Sequence, residues 1–327
     1  MLNAKYRKIL TFLLLFISVG SFSANYYSLA RLSSNEGLSQ QDVECIVQDK
    51  QGFIWIGTYD GLNRFDGTHV IIFRHQPNDN NSISDNRILA LAEWKDRDEL
   101  WIGTDGGGLN CYNLKTGCFK HYYSDESNIN SLTDNQIIDL YQSGEYMWAS
   151  TANGPHRISF DTENHIKIEH FPLLHASGRL DSFQCTLSVT EDINGNTIAG
   201  TANGIYVKTP EDICFREVKE LRGSTREVMK DKTGNLWILT EDKLLSYSPD
   251  QQKLKNYLHT PFQLNIQSEV PFRRILPVTD RDYLVLSEKQ VYWIRVQNNR
   301  FDIEPVLFSD NDFFSNNLLK IYFSTIL

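Results

Sequence analysis

Polar and aromatic side chains recur in short loop-like stretches of this 327-residue chain, where they could bind a ligand. Amide, carboxylate and guanidinium groups around a concave surface suit sugar hydroxyls, and an aromatic ring suits the face of a sugar. Because many of these residue types also form turns by bonding their own backbone, a purely structural role is the alternative for each. The candidate ligand-binding residues are Gln41, Asp42, Tyr59, Asp60, Asn86, Arg87, Asp105, Asn135, Gln136, Asn153 and His156.

Familiar catalytic motifs do not accompany these side chains. The glycine-rich stretch GTDGGGLN at 103–110 lacks the Gly-Lys-Ser/Thr ending of a phosphate-binding loop. His165, His170 and His175 are five residues apart, so on a strand they alternate between faces and do not gather around a metal. Neither Gly-x-Ser-x-Gly nor His-Glu-x-x-His occurs in the sequence. We therefore predict no catalytic residues, no metal and no cofactor.

A sequence repeat must position the candidate loops. The segment WIGT at 55–58 recurs as WIGT at 101–104 and WAST at 148–151, then more weakly at 198–201, 237–240 and 284–287, with spacings of 46, 47, 50, 39 and 47 residues. This is the period of a four-stranded propeller blade. The residues with a predicted structural role in the repeat are Trp55, Gly57, Thr58, Trp101, Gly103, Thr104, Trp148, Thr151, Gly200, Thr201, Trp237 and Thr240.

The tryptophan and glycine of the repeat have a predicted packing role. A sheet that is hydrophobic on both faces must bury each face against a neighbouring sheet. A tryptophan on the second strand would fill the wedge between two blades and bury roughly 150–250 Å². At about 25 cal/mol/Å², this burial contributes on the order of 4–6 kcal/mol before entropy costs. The glycine two residues later faces the same side and leaves room for a large neighbour.

The sequence predicts an all-β propeller of four-stranded antiparallel blades over residues 25–327. Residues 315–327 resemble the start of a seventh repeat, and YYSLARL at 26–32 resembles an outermost strand without a blade of its own. An incomplete seven-bladed ring is favoured, and a six-bladed ring is the alternative. The six blade cores are expected near 43–66, 88–113, 137–159, 185–208, 226–248 and 275–296.

The first 24 residues predict export. A basic start at residues 5–8 precedes an apolar run at 9–19 and small residues at 20–24, which is the pattern of a secretory signal peptide. A periplasmic location follows from this prediction. An uncleaved anchor is the alternative, and no later segment reaches membrane-spanning length.

Charge and cysteine content limit the classes of partner and scaffold. With 32 Lys+Arg against 41 Asp+Glu, the formal charge is -9, and without a Lys/Arg cluster the chain is a poor candidate for binding nucleic acid or an anionic membrane. The balance fits a neutral or weakly charged partner. Five cysteines are too few and odd in number for a disulfide scaffold. Cys111 and Cys118 flank a turn-like stretch, so they are either bridged or small buried side chains.

The unit GLSQQDVECIVQDKQGFIWIGTYDGLNRFDG at 37–67 resembles the two-component regulator propeller repeat. The resemblance extends with declining fidelity over roughly residues 26–325. Such repeats build the periplasmic sensors of hybrid two-component systems in glycan-degrading bacteria. The resemblance therefore implies a non-catalytic sensor that responds to an oligosaccharide and forms a homodimer through parts missing from this chain.

The sequence departs from the plan of that family. It shows no second propeller, sandwich domain, membrane helix or kinase region, so we expect a truncated sensor part without kinase activity. Two alternatives remain open on the sequence alone: a secreted propeller glycosidase or lyase, and a plain protein-interaction propeller.

Overall fold

The computed structural model describes residues 32–181, 184–240, 244–247, 272–287, 291–297 and 300–306. The chain divides into a short segment, Met1–Leu32, and a large unit, Ser33–Leu327, to which every element below belongs. The predicted signal peptide (1–24) and the predicted start of a seventh repeat (315–327) lie outside the described residues, as does most of the predicted outermost strand at 26–32.

The first three sheets are antiparallel meanders of four strands each, hydrogen-bonded in chain order. Two short 3₁₀ helices, Ser34–Glu36 and Lys95–Arg97, accompany them. The strands are β1 (Val43–Gln48), β2 (Ile54–Thr58), β3 (Gly61–Phe65) and β4 (Val70–Phe73); β5 (Ile88–Trp94), β6 (Glu99–Thr104), β7 (Leu109–Asn113) and β8 (Phe119–Tyr122); β9 (Ile137–Ser143), β10 (Tyr146–Thr151), β11 (Gly154–Phe160) and β12 (Ile166–His170).

The remaining sheets repeat this plan with small differences. The fourth sheet gains a fifth strand, β13, which pairs in parallel with its outer strand β17, and the fifth sheet has three described strands. The strands are β13 (Leu173–Leu174), β14 (Thr186–Glu191), β15 (Thr197–Thr201), β16 (Gly204–Lys208) and β17 (Phe215–Arg222); β18 (Thr225–Lys230), β19 (Leu236–Thr240) and β20 (Leu244–Tyr247); β21 (Phe272–Pro277), β22 (Asp282–Ser287), β23 (Val291–Gln297) and β24 (Arg300–Pro305).

The first strands of the successive meanders lie side by side. In the fourth sheet this first strand is β14, because β13 pairs only with the outer strand β17. Strand β1 packs next to β5, β5 next to β9, β9 next to β14, β14 next to β18, and β18 next to β21. Sheets that meet along their first strands and stack face to face have the radial order of propeller blades. The predicted all-β propeller with six repeats is therefore confirmed.

The tryptophans of the repeat lie between one sheet and the next. The Trp55 ring is 5.7 Å from that of Phe73 in its own sheet and 5.4 Å from that of Tyr112 in the second sheet, between ring centroids. Trp148 likewise lies 6.0 Å from Phe215 of the fourth sheet. This is the wedge position expected from the sequence. The side chains that are almost completely buried here are Trp55, Trp101, Trp148 and Trp237.

The glycine of the repeat allows close approach of the next sheet. A Cβ atom at Gly57 would lie 2.7 Å from Cγ2 of Ile88, and one at Gly103 would lie 2.7 Å from Cγ2 of Ile137. Both distances are far shorter than van der Waals contact. Because Ile88 and Ile137 begin the first strands of the following sheets, these glycines set how tightly adjacent blades pack.

Aspartate side chains hold the turns between first and second strands and also fix the tryptophans. Oδ1 of Asp49 accepts the backbone N–H groups two and four residues further on, at 2.9 and 3.0 Å. Its Oδ2 accepts the indole N–H of Trp55 at 2.7 Å, and Asp231 accepts that of Trp237 at 2.9 Å. The sequence analysis did not predict these indole bonds, each of which satisfies a buried N–H donor that would otherwise lack a partner.

Every one of the six first strands contains a register shift one residue after its start. Such a bulge leaves one residue unpaired and re-aims the side chains beside it. Side chains next to the bulge then bond the following sheet: Ser188 Oγ accepts the backbone N–H of Val228 at 2.7 Å, and Glu227 Oε2 accepts that of Ile275 at 2.9 Å. The bulge was not predicted.

The cysteines of the described structure are free thiols. Cys111 is buried and Cys118 is exposed, so the bridge that the sequence left open is absent here. Burial raises the pKa of the Cys111 thiol. The alternative interpretation, a small buried side chain, fits Cys111 but not Cys118.

Candidate functional site

The threonine that ends the WIGT segment fixes the hairpin between second and third strands. The hydroxyl of Thr58 donates to the Gly61 carbonyl at 3.0 Å, and that of Thr104 donates to the Gly108 carbonyl at 2.7 Å. Thr151 makes the same bond in the third sheet, at 2.7 Å. The hairpins at 59–60, 105–107 and 152–153 are thereby held in equivalent places in the first three sheets.

Loops that enter the first strands are attached to the third strand of the same sheet. Oδ1 of Asn63 accepts the backbone N–H of Ser39 at 2.8 Å, and Oδ1 of Asn110 accepts that of Ser84 at 3.0 Å. The two amide groups also donate to the hydroxyls of the same serines, at 2.9 and 2.8 Å. Entry loops and hairpins therefore meet at one edge of these sheets.

His156 takes the place of these asparagines in the third sheet. Its Nε2 accepts the backbone N–H of Thr133 at 3.1 Å, and the side chain is 0% exposed. Burial, together with the His170 ring whose centroid lies 5.0 Å away, lowers the pKa of His156 to about 3, so the ring is neutral. His156 thus positions a loop from inside the sheet and is not accessible to a ligand.

Four of the predicted residues form a contiguous group across three sheets, which we call the rim cluster: Tyr59, Arg87, Asp105 and Gln136. The Arg87 guanidinium lies over the Tyr59 ring, with Cζ 4.4 Å from the centroid. It also forms an ion pair with one carboxylate oxygen of Asp105, and the Gln136 amide donates to the other oxygen. The cluster connects a hairpin of the first sheet, two loops of the second and an entry loop of the third.

The rim cluster is partly exposed, and one further side chain that the sequence did not indicate contacts it. Tyr59 is 38% exposed and the Arg87 side chain is 48% exposed. The Tyr59 hydroxyl bonds Glu44, which raises the pKa of Tyr59, while the nearby Arg87 acts in the opposite direction. Glu44 is the bulged residue of β1. Because a bulge cannot be recognised from alternation alone, its side chain looked like an ordinary strand position.

Asn86 and Asn135 bond the backbone near the start of the long loops that contain them, rather than their own turns. Oδ1 of Asn86 accepts the backbone N–H of His75 at 2.7 Å, and Oδ1 of Asn135 accepts that of Ser124 at 2.7 Å. In both cases the donor follows the outer strand of the preceding sheet. The two amides therefore tie one blade to the next beside the rim cluster.

The other predicted residues have partners of their own or are exposed, and they do not join the contacts of the rim cluster. Asp60 pairs with Arg74, whose Nη2 is 2.9 Å from Oδ2. Gln41 and Asp42 bond side chains of the segment before β1, at 3.1 and 2.9 Å. Asn153 is exposed in the hairpin of the third sheet.

The histidines considered as metal ligands do not come together. His165 contacts Asp161, the His170 ring lies tilted against that of His156, and His175 lies near Glu217. Within the described ranges, no group of three His, Cys, Asp or Glu side chains could hold a metal ion. The same part of the chain contains no helix that is long and apolar enough to cross a membrane.

Comparison with known proteins identifies related repeats and folds. Residues 37–60 match the family model described as "Two component regulator propeller". Histidine kinase P4 of Formosa agariphila is 40% identical over 84 residues, which are 26% of this chain and 6% of that protein. The extracellular domain of a B. thetaiotaomicron protein described as a hybrid two component system is 25% identical, with a TM-score of 0.69 over 89% of this chain and 38% of that one.

A more distant structure supports the fold alone. The β-propeller domain of Cps50 (Swd1) from Myceliophteria thermophila has a TM-score of 0.58 at 13% identity and covers 80% of this chain and 86% of its own. The chain spans 38% of the B. thetaiotaomicron structure and a far smaller share of the kinase. The sequence resemblance is therefore confirmed: the chain carries a two-component regulator propeller repeat, and its fold is similar to part of the extracellular domain of a hybrid two-component system.

Proposed function

We propose that this chain is an exported, non-catalytic sensor propeller that binds an oligosaccharide at the rim cluster. The observation that carries the proposal is the network from Tyr59 through Arg87 and Asp105 to Gln136, which joins three blades at one accessible edge. We further propose that the chain acts in the periplasm as the sensing part of a hybrid two-component regulator.

The chemistry of the rim cluster suits sugars. The exposed guanidinium of Arg87 and the partly buried carboxylate and amide groups beside it can share hydrogen bonds with vicinal hydroxyls, and the exposed Tyr59 ring can pack on the apolar face of a pyranose. The groups are already held by one another, so little side-chain freedom is lost when a ligand binds. Pre-ordering of this kind favours recognition of a weakly interacting, neutral molecule.

Signalling requires that the ligand distinguish two arrangements of the sensor. A ligand shifts an equilibrium only by its differential affinity for the two states. Because contacts within the rim cluster cross from sheet to sheet, a ligand bound there would touch neighbouring blades and could favour one arrangement. Similarity to an extracellular domain of a hybrid two-component system and to a histidine kinase supports this role. Kinase output would belong to other parts of such proteins.

Isothermal titration calorimetry of the chain against an oligosaccharide library tests the proposal. We expect binding by at least one member, a loss of about tenfold or more in Arg87→Ala, and a loss of about twofold to tenfold in Tyr59→Ala. A charge-assisted hydrogen bond contributes about 1.5–3 kcal/mol and an aromatic contact about 0.5–1.5 kcal/mol. Asn203→Ala is the matched control, because Asn203 lies exposed in the equivalent hairpin of the fourth sheet. Absence of binding across the library, or equal losses in the control, would contradict the proposal.

A glycosidase or lyase is the second candidate, and one observation favours it. Burial raises the pKa of Asp139 to about 7, and the nearby Glu227 also has a raised pKa because it is buried. A carboxyl group protonated near neutral pH can act as a general acid. However, Asp139 accepts backbone N–H bonds from Leu140 and Val189, which is the behaviour of a structural group. Release of reducing ends from a polysaccharide panel by the purified chain would favour this candidate.

A further inference from the structure

We infer that the edge of the first three sheets on which the rim cluster lies selects neutral oligosaccharides and rejects those that carry uronate or sulfate groups. This inference rests on the proposed function and names its ligand class. It depends on the charges that surround the rim cluster rather than on the cluster's own hydrogen bonds.

Acidic side chains dominate the entry loops and hairpins at this edge. The loops before β5 and β9 each carry an aspartate beside a rim-cluster residue, and the bulge of β1 adds Glu44. Carboxylates of this kind are negatively charged at neutral pH. The carboxyl groups at this edge belong to Asp42, Glu44, Asp60, Asp85, Asp105 and Asp134. The guanidinium groups beside them belong to Arg74 and Arg87.

Both guanidinium groups are already paired with carboxylates. Arg74 holds Asp60 at 2.9 Å, and Arg87 holds Asp105. Recognition of a sulfate or a uronate usually uses an arginine in a bidentate, charge-assisted contact. Here an anionic ligand would first have to displace a carboxylate of the protein from its arginine, and that carboxylate would then repel it.

Asp85 and Asp134 are held next to the rim cluster by the same local bond. Oδ1 of Asp85 accepts the backbone N–H of Arg87 at 2.9 Å, and Oδ1 of Asp134 accepts that of Gln136 at 2.7 Å. Burial raises the pKa of Cys185, which precedes β14 of the fourth sheet, and the negative charge of Asp134 raises it further. The two aspartates therefore place negative charge beside the site without taking part in the network of the rim cluster.

The expected size of the effect follows from Coulomb's law. A unit charge roughly 10 Å from an anionic ligand in water changes the affinity about twofold. Several uncompensated carboxylates would together weaken binding of a monoanionic ligand by about tenfold relative to its neutral counterpart. The effect should shrink as salt is added, since the Debye length is only about 8 Å at physiological ionic strength.

The test compares matched probes on the same protein. Uronic-acid oligosaccharides and their carboxyl-reduced counterparts share ring stereochemistry and linkage and differ only in charge. The 327-residue chain is titrated by calorimetry with these pairs as well as with the neutral library. We expect binding only or mainly by the neutral members. A uronate that binds as tightly as its reduced form, or more tightly, would overturn the selectivity while leaving oligosaccharide binding intact. Silence of every probe would instead overturn the proposed function itself.

A double variant isolates the charges from the fold. Asp85→Asn with Asp134→Asn keeps both Oδ1 acceptors, and hence both loop bonds, but removes two negative charges. We expect the affinity for the best neutral ligand to stay within about twofold and the affinity for its acidic counterpart to rise about fourfold at low salt. Asn128→Asp, in an exposed loop position whose Oδ1 already accepts a backbone N–H, is the control that adds a charge elsewhere. No gain for the acidic ligand in the double variant would contradict the inference.

Discussion

At the scale of single residues, the candidate list taken from sequence contains two kinds of side chain. Tyr59, Arg87, Asp105 and Gln136 come together as an accessible group, whereas Asn86, Asn135 and His156 hold the backbone of their loops. Residue type could not separate the two kinds, because a polar side chain in a turn can bond either a ligand or its own chain. What separates them is which loops become neighbours, and that depends on the radial stacking of the sheets.

His156 allows a prediction at this scale. Its pKa is about 3 in the folded chain and near 6.5 in the unfolded chain, so below pH 6.5 the unfolded chain takes up a proton that the folded chain does not. The free energy of unfolding should therefore fall as the pH drops from about 6.5 towards 3, by about 1.4 kcal/mol for each pH unit from this group. Denaturant unfolding at a series of pH values measures this slope.

The variant His156→Asn supplies the comparison. Asn63 and Asn110 make the equivalent bond in the first two sheets, so the variant should keep the loop bond to Thr133. We expect stability close to that of the wild type at pH 7.5 and a shallower loss below pH 6.5. A variant with an unchanged pH slope would show that the buried ring is not the source of the acid sensitivity.

At the scale of elements, the repeat predicts more than the existence of strands. Spacing of the Trp-x-Gly-Thr segment indicated the sheets, their order and the face that packs against the next sheet, because each feature follows from burying both faces of a sheet. The bulge in each first strand could not be predicted, since it interrupts the alternation that sequence analysis relies on. It re-aims Glu44, and the sequence therefore missed that side chain at the rim.

The contact between Gly103 and Ile137 gives a prediction for these elements. In Gly103→Ala the new Cβ would lie 2.7 Å from Cγ2 of Ile137, so the second and third sheets would have to separate. We expect a loss of about 1–3 kcal/mol in the free energy of unfolding, which is usual for overpacking a core. Chemical denaturation followed by circular dichroism measures it.

Gly106→Ala is the matched control for this change. Its Cβ would meet only Asp85 Oδ2, at an ordinary 3.5 Å. The control should therefore change the free energy of unfolding by no more than about 0.5 kcal/mol. Similar losses in both variants would argue that the glycine is needed for its backbone freedom rather than for close packing of the blades.

At the scale of the whole molecule, the site is a property of neighbouring blades. The contacts of the rim cluster run from the first sheet to the third. The fold could be predicted from sequence because a repeat forces the same solution on each blade. The ligand class could not, since it depends on the differences between repeats: an arginine at position 87, a glutamine at 136, and aspartates at 85 and 134.

Hydrogen–deuterium exchange of the chain, with and without the oligosaccharide that binds most tightly in calorimetry, tests the central claim most directly. If the ligand sits on the rim cluster, exchange should slow in the segments 39–44, 57–62, 84–88, 103–108 and 133–137, and the equivalent hairpin of the fourth sheet at 201–204 should not change. Protection confined to the fourth hairpin, or to outer strands such as β4 and β8, would contradict the claim that the first three blades form the ligand site.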